Sequence, residues 1–338
     1  MLRASVTRVL HTHLATRPHP FSLTTRFGLP LLVLVCLATS ARADVGLLLG
    51  EPYGRGSGYN PTGHISVYLS RVCAETPSML RRCRTDEAGS VISRYNHIPP
   101  VDWVAIPLIP YLYAVDDASE APTFADPEQV RALRDRYRAR HLADFEPVRR
   151  VTKVHDWVQL VGSAYDRQNV VFTIRTTVEQ DDALIDAFNA SDNRARFNLL
   201  FENCADFARD LINRYYLPQA LHANRIGDLG FTTPKHVSKM FVRYAQRHPE
   251  LALQTFIVPQ IPGNRPHSDR ARGVLESLVR MKRYAIPLAV VQPWVSVGMA
   301  AGYLTTGRFN PQRHAPLVLS PIEVQGRAHA AVRNPPAP

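Results

Sequence analysis

The run FENCADFARDLINRYY, residues 201–216, does most to limit what this chain can fold into. Phe207, Ala208, Leu211, Ile212 and Tyr215 recur at steps of three and four, the period of one helix face. Such a stripe must be buried, so a second layer has to lie against it. Cys204 falls on the same stripe, one turn ahead of Ala208. Asn203 is suited to cap the helix start, because its side-chain oxygen can accept an orphaned backbone N–H. Asp206, three residues later, completes a capping pair at the positive helix end. A thiol at that end sits in the field that favours its thiolate, a geometry that suits a nucleophile. Even so, a cysteine on an apolar helix stripe is by itself usually an inert core residue.

The covering layer is legible elsewhere. GHISVYLS (63–70) alternates Ile65, Val67 and Leu69 with His64, Ser66 and Tyr68, the two-residue period of a strand. DVGLLLG (44–50) and VVFTIRTTV (170–178) read as strands, and GSVISRYN (89–96) as a partner for residues 63–70 across a long connection. Residues near 127–142 read as a charged surface helix, and EQDDALIDAFNA (179–190) as an amphipathic one entered from Thr177 or Glu179. The class is therefore α+β, a small antiparallel sheet packed on the Cys204 helix. Residues of about 100–165 read as an insertion within a domain at 44–225. A helical and apolar extension follows at 226–325, then a proline-rich tail at 326–338 with the composition of a disordered segment.

The first 43 residues have the form of an export signal: arginines without acids, LPLLVLVCLA, then ARA. They hold five arginines, so a chain cleaved there keeps an excess of six basic residues rather than eleven. The remaining charge is scattered and lacks the basic, aromatic-studded stripe of a nucleic-acid binder. The expected location is the periplasm or cell envelope. Of the cysteines beyond the signal, Cys73 and Cys83 flank a short polar loop and are the natural disulfide pair in an oxidising compartment. Cys204 is then the free thiol. Residues 284–304 carry no charge and are long enough to span a bilayer. Two prolines and a glutamine interrupt the run, and the preceding RMKR opposes insertion of an exported chain. A buried or interfacial segment is the better reading, and membrane association is one outcome there.

Several motifs are excluded. GRGSGY (54–59) lacks the GK[ST] ending of a phosphate loop and is followed by a strand. Flexible cleft wall is the better reading, with Tyr53 and Asn60 as candidate substrate contacts. Ser57 lies in GSG, which is not a nucleophile elbow. His141, His155, His222 and His236 show no metal-ligand spacing, so no metal is expected.

GHISVYL followed much later by NCADF resembles the circularly permuted NlpC/papain-like superfamily, which includes the lecithin retinol acyltransferase-like enzymes. The longer run FTIRTTVEQDDALIDAFNASDNRARFNLLFENCADF resembles an uncharacterised group of bacterial envelope proteins within it. The likeness covers roughly residues 44–220. It implies a permuted papain-like core with Cys204 as nucleophile and His64 as general base. A third polar residue on the next strand would orient the histidine, and Ser93 stands where relatives often carry a histidine. Asn96 and His97 are the alternatives in a shifted register. The implied activity is hydrolysis or transfer at an amide or ester of the cell envelope through a thioester, without a cofactor. A second reading, an envelope scaffold or binding protein of weak or no activity, draws on serine's lack of the negative charge that would stabilise an imidazolium.

Overall fold

In the computed structural model, which describes residues 42–53, 61–95, 101–145, 160–194, 196–280 and 282–333, the alternating runs become neighbours in one sheet. Strand β1 (Arg42–Gly50) pairs antiparallel with β2 (His64–Leu69) on one side. The chain then makes a separate hairpin, β3 (Val72–Thr76) and β4 (Met79–Arg82), before β5 (Ser90–Arg94) and β6 (Trp103–Pro107) extend the sheet. Helices α1 (Leu108–Tyr113) and α2 (Pro127–His141) follow, and β7 (Asn169–Thr177) returns to the other side of β1. Next come α3 (Val178–Ala190), α4 (Cys204–Tyr215), α5 (Pro234–Arg247) and β8 (Gln254–Val258). The C-terminal part holds α6 (Val274–Arg280), α7 (Lys282–Val291), α8 (Pro293–Gly302), β9 (Leu317–Val318) and α9 (Pro321–Arg333). The sheet order is β6-β5-β2-β1-β7-β8-β9, antiparallel except for the β8–β9 pair.

Helices cover both faces. Val45, Leu47, Leu49, Ile65 and Val67 pack with α3, α4 and α5 through residues such as Leu184, Ala208, Ile212 and Phe241. On the other face, Leu48, Tyr68 and Val91 pack with α1, α2 and α9 through residues such as Leu112, Val130 and Ala328. This double cover explains why His64, Ser66 and Tyr68, the more polar half of the β2 alternation, are buried along with the apolar half. Each leucine or isoleucine fully withdrawn from water contributes about 1.5–3 kcal/mol, so the α4 stripe is anchored chiefly by Leu211 and Ile212.

The structure corrects three sequence readings and describes a fourth segment. The expected insertion at 100–165 contributes β6, an edge strand of the main sheet. The boundary near 226 does not interrupt the fold, because β8 pairs with β7 and the described residues on both sides of it belong to one compact unit. Residues 326–333, read as tail, continue α9 and bury Ala328 and Val332. The charge-free run at 284–304 falls on two ten-residue helices parted at Gln292, with Pro293 opening the second. Among the described residues no helix is long and apolar enough to cross a membrane. Cys73 and Cys83 are joined by a disulfide across the ends of the β3–β4 hairpin, and Cys204 is free. Asn60, Asn96, His97, His155 and the expected signal up to Ala41 lie outside the described residues.

Candidate active site

Cys204 is the first residue of α4, and its position is fixed by a complete cap. The Asn203 side-chain oxygen accepts from Ala205 N at 2.7 Å and Asp206 N at 3.2 Å, while Asp206 accepts from Asn203 N at 3.3 Å. The Asn203 amide also donates to the carbonyls of Leu199 and Thr232, tying the segments on both sides to the helix start. Two of the free N–H groups of the first turn are thereby spent. The Cys204 N–H remains outside the cap.

His64 enters β2 through Gly63, whose φ is +75°. A side chain there would strike the Gly50 carbonyl oxygen at 2.3 Å, which is the physical reason for the glycine in GHISVYL. Pairing of β2 with β5 covers Val67–Leu69 against Ser90–Ile92. Towards His64, Ser93 bridges the two strands with its side chain instead. Its Oγ lies 2.9 Å from His64 Nε2 and 3.1 Å from the Ile65 carbonyl oxygen. A carbonyl only accepts, and the serine has one proton. Both contacts are satisfied when Ser93 donates to Ile65 and accepts from His64 Nε2–H, which leaves the lone pair on Nδ1. Tyr95 stacks on the imidazole with centroids 4.9 Å apart and planes 20° from parallel.

The Ile65 N–H, next to His64 in the chain, acts on the Cys204 thiol and lowers its pKa. The thiol is not hydrogen-bonded to the imidazole in this state. Catalytic contacts are often long before substrate binds. Tyr111 completes the wall through Ser66, whose Oγ is 2.9 Å from the Tyr111 hydroxyl. The structure thus brings Cys204, Asn203, His64 and Ser93 to one end of β2, with Tyr53 close by through Arg167. Cys73 and Cys83 lie apart on the β3–β4 hairpin. They form, with Glu87, a cluster of three potential metal donors. The two sulfurs are spent in the disulfide, so the cluster offers no thiolate.

The electrostatics correct one expectation. Burial pushes the Cys204 thiol up to about 11, against weaker lowering by the Ile65 N–H and by Arg167. The helix start therefore loses to desolvation, and the resting sulfur is a thiol rather than a thiolate. Burial, with a further contribution from Arg167, pushes His64 down to about 3. At neutral pH the resting pair is uncharged on both sides.

Arg167 is the residue that sequence reasoning missed. It is buried, its guanidinium lies over the Tyr53 ring at 4.3 Å, and it acts electrostatically on both Cys204 and His64. The signal that points to it is Gly50, the cross-strand partner of His64. A Cβ on Gly50 would lie 2.7 Å from Arg167 Cδ and 3.2 Å from its Nη1. The glycine clears a path for the arginine across the sheet beside the histidine. Tyr95 was within reach of the alternation, since it shares a strand face with Ser93. Tyr111 carries no such local signal.

No family model matches this chain, and no curated protein matches it. Among solved structures, a type VI secretion system effector, TseH, aligns over 65% of this chain and 94% of its own, at 12% identity and a TM-score of 0.30. That likeness carries no argument here.

Proposed function

We propose that this chain is an exported thiol hydrolase or acyltransferase of the permuted NlpC/papain-like kind, acting on an amide or ester of the cell envelope. The observation that carries the reading is the hold on His64. Ser93 takes its Nε2–H, Tyr95 fixes its plane, and the free Nδ1 belongs to the same strand end that receives Cys204. Nδ1 accepts the thiol proton as sulfur attacks the acyl carbonyl. The carbonyl oxygen gains the negative charge, and the Cys204 N–H is the helix-start donor free to meet it. The protonated imidazole then gives its proton to the departing amine or alkoxide, leaving a thioester. Water or an acceptor alcohol or amine next gives a proton back to His64 and attacks the thioester, restoring the thiol. Ser93 is a positioning residue, because it acts through the imidazole. The Cys73–Cys83 disulfide supports an oxidising compartment.

The neutral resting pair favours a second reading, a weakly active or inactive scaffold on the same fold. An acyl-transfer probe such as an activated ester separates the two. Acyl-enzyme trapped on Cys204 in the wild type, absent in Cys204→Ala and slowed about 10²–10⁴-fold in His64→Ala, is the expected result. Folded protein that forms no adduct with any ester or amide would leave the scaffold reading standing.

A further inference from the structure

Arg167 is 5% exposed, yet among the described residues it makes no ion pair and its Nε has no hydrogen-bond partner. Its neighbour Asp166 is already shared between Arg134 and Arg265. Asp166 is thus engaged by two guanidinium groups, and neither belongs to Arg167. A buried cation without a counter-ion is costly. Gly50 keeps the space that lets it lie beside His64, and the Tyr53 face supports its plane.

We propose that Arg167 is the floor of an anion subsite beside Cys204, which takes a carboxylate or phosphate group carried by the acyl donor. Assigning the ligand to the acyl donor rests on the reading of Cys204 as nucleophile; the anion site itself does not. Burial chiefly keeps His64 neutral, and Arg167 adds to that effect. Positive charge beside His64 opposes the imidazolium that the reaction needs, and an anion seated on Arg167 offsets it.

Inorganic phosphate tests the subsite directly. At constant ionic strength, saturating phosphate should raise the melting temperature of the full chain by about 3 °C. The shift should vanish in Arg167→Gln, survive in part in Arg167→Lys and persist in Cys204→Ala. Equal shifts in wild type and Arg167→Gln, or none in either, overturn the proposal. Alkylation of Cys204 gives the second readout. The rate ratio of iodoacetate to iodoacetamide should exceed that of free cysteine about tenfold, and fall to the free-cysteine value in Arg167→Gln. A ratio unchanged by Arg167→Gln overturns the subsite, whatever the acyl probe shows. Acetate-sized fragments can be compared with phosphate to tell a carboxylate donor from a phosphorylated one.

A different observation carries a second inference. Helices α7 and α8 leave Ile286, Val290, Val291, Trp294 and Val297 exposed, with Trp294 at 84% and Val290 at 78%. From Ser277 to Ile322 the sequence has no acid, and Arg280, Lys282, Arg283, Arg308 and Arg313 flank the apolar run. Soluble surfaces rarely leave so large an apolar patch bare. Apolar helices with basic flanks, too short to cross a bilayer, match an anionic lipid interface. We infer that α7 and α8 lie in the surface of an anionic membrane, with Trp294 at headgroup depth. Vesicles of phosphatidylglycerol with dibrominated phosphatidylcholine test this through tryptophan fluorescence. Quenching should occur in the wild type, be lost with Trp294→Phe, and need roughly tenfold more lipid in the Val290→Glu, Val297→Glu double variant. Vesicle binding without quenching of Trp294 would place the contact elsewhere. Self-association abolished by the double variant, with no quenching, would make the patch a dimer face; either result overturns the inference.

Discussion

Arg134 and Arg167 are equally buried, at 5% exposure each, and their surroundings are opposite. Arg134 gives hydrogen bonds to the carbonyls of Val161 and Gly162 at 3.0 and 2.9 Å, and to Asp166 at 2.5 Å. Arg167 has the Tyr53 ring below it, and among the described residues it makes no ion pair and its Nε has no partner. The first is an internal strut that joins α2 to the turn before β7. The second contributes a field rather than a bond, and the groups that feel it are Cys204, His64, Tyr95 and Tyr111. Burial alone does not say which arginine builds a protein and which one serves its site. The accounting of partners does.

Replacement by methionine should separate the pair most widely. Arg134→Met leaves Asp166 and two carbonyls short of a donor and should cost about 3–5 kcal/mol in denaturant unfolding. Arg167→Met removes an uncompensated charge and should be neutral or stabilising by about 1 kcal/mol. Equal losses in both variants would erase the distinction.

Acid should read the field of Arg167 next. His64 and His236, held near 3 and 4, are neutral when folded and protonated when unfolded over the range up to about 6.5. The stability these two histidines contribute is therefore complete above about pH 6.5 and is lost as pH falls, by up to about 1.4 kcal/mol per pH unit for each. In Arg167→Met the His64 share of that loss should shrink, whereas Arg134→Met should leave its slope unchanged. Unfolding midpoints between pH 4 and 7 check this.

Asp181 extends the comparison to a buried anion. Its Oδ1 accepts from Tyr216 at 2.8 Å, and among the described residues its Oδ2 has no hydrogen-bond partner. Burial pushes it up to about 7. Because the folded state holds this proton, stability declines as pH rises from about 4 to 7. Asp181→Asn keeps an acceptor for Tyr216 and should flatten that decline, a gain of about 1–2 kcal/mol at pH 8 by thermal unfolding.

The smallest effect concerns the thiol. Iodoacetamide labelling of Cys204 should keep accelerating past pH 9, as a thiol near 11 requires. Arg167→Met should slow it by a few-fold at pH 8, since the guanidinium lowers that value. A rate plateau below pH 7 would instead reveal a resting thiolate–imidazolium pair.

These contrasts follow how far each feature reaches along the chain. The Asn203–Asp206 cap was legible because every partner lies within three residues. The strands declared themselves by alternation, and the contact of Ser93 with His64 followed from laying two strands side by side. Arg167 was not legible, because its meaning depends on crossing β1 at Gly50, far away in sequence. The thiol was read in the wrong direction for a similar reason. A helix start is worth about 1 kcal/mol or less to a nearby charge, and the burial that outweighs it is assembled by residues from several elements. The boundary near 226 misled because β8 is five residues long and β9 two, too short to stand out beside the helices around them. Hairpin β3–β4 escaped notice within a connection that composition marks only as polar.

Gly50 gives the site an evolutionary hinge. One added methyl group would occupy the corridor now held by Arg167 Cδ and press on Asn169 Oδ1 at 3.1 Å. The flexible arginine side chain would have to shift out of that corridor. Neither the cap on Cys204 nor the Ser93 contact of His64 supplies the nearest atoms such a methyl would meet. A lineage could thus exchange charged ligands for neutral ones through a single alanine, without touching the groups that perform the chemistry.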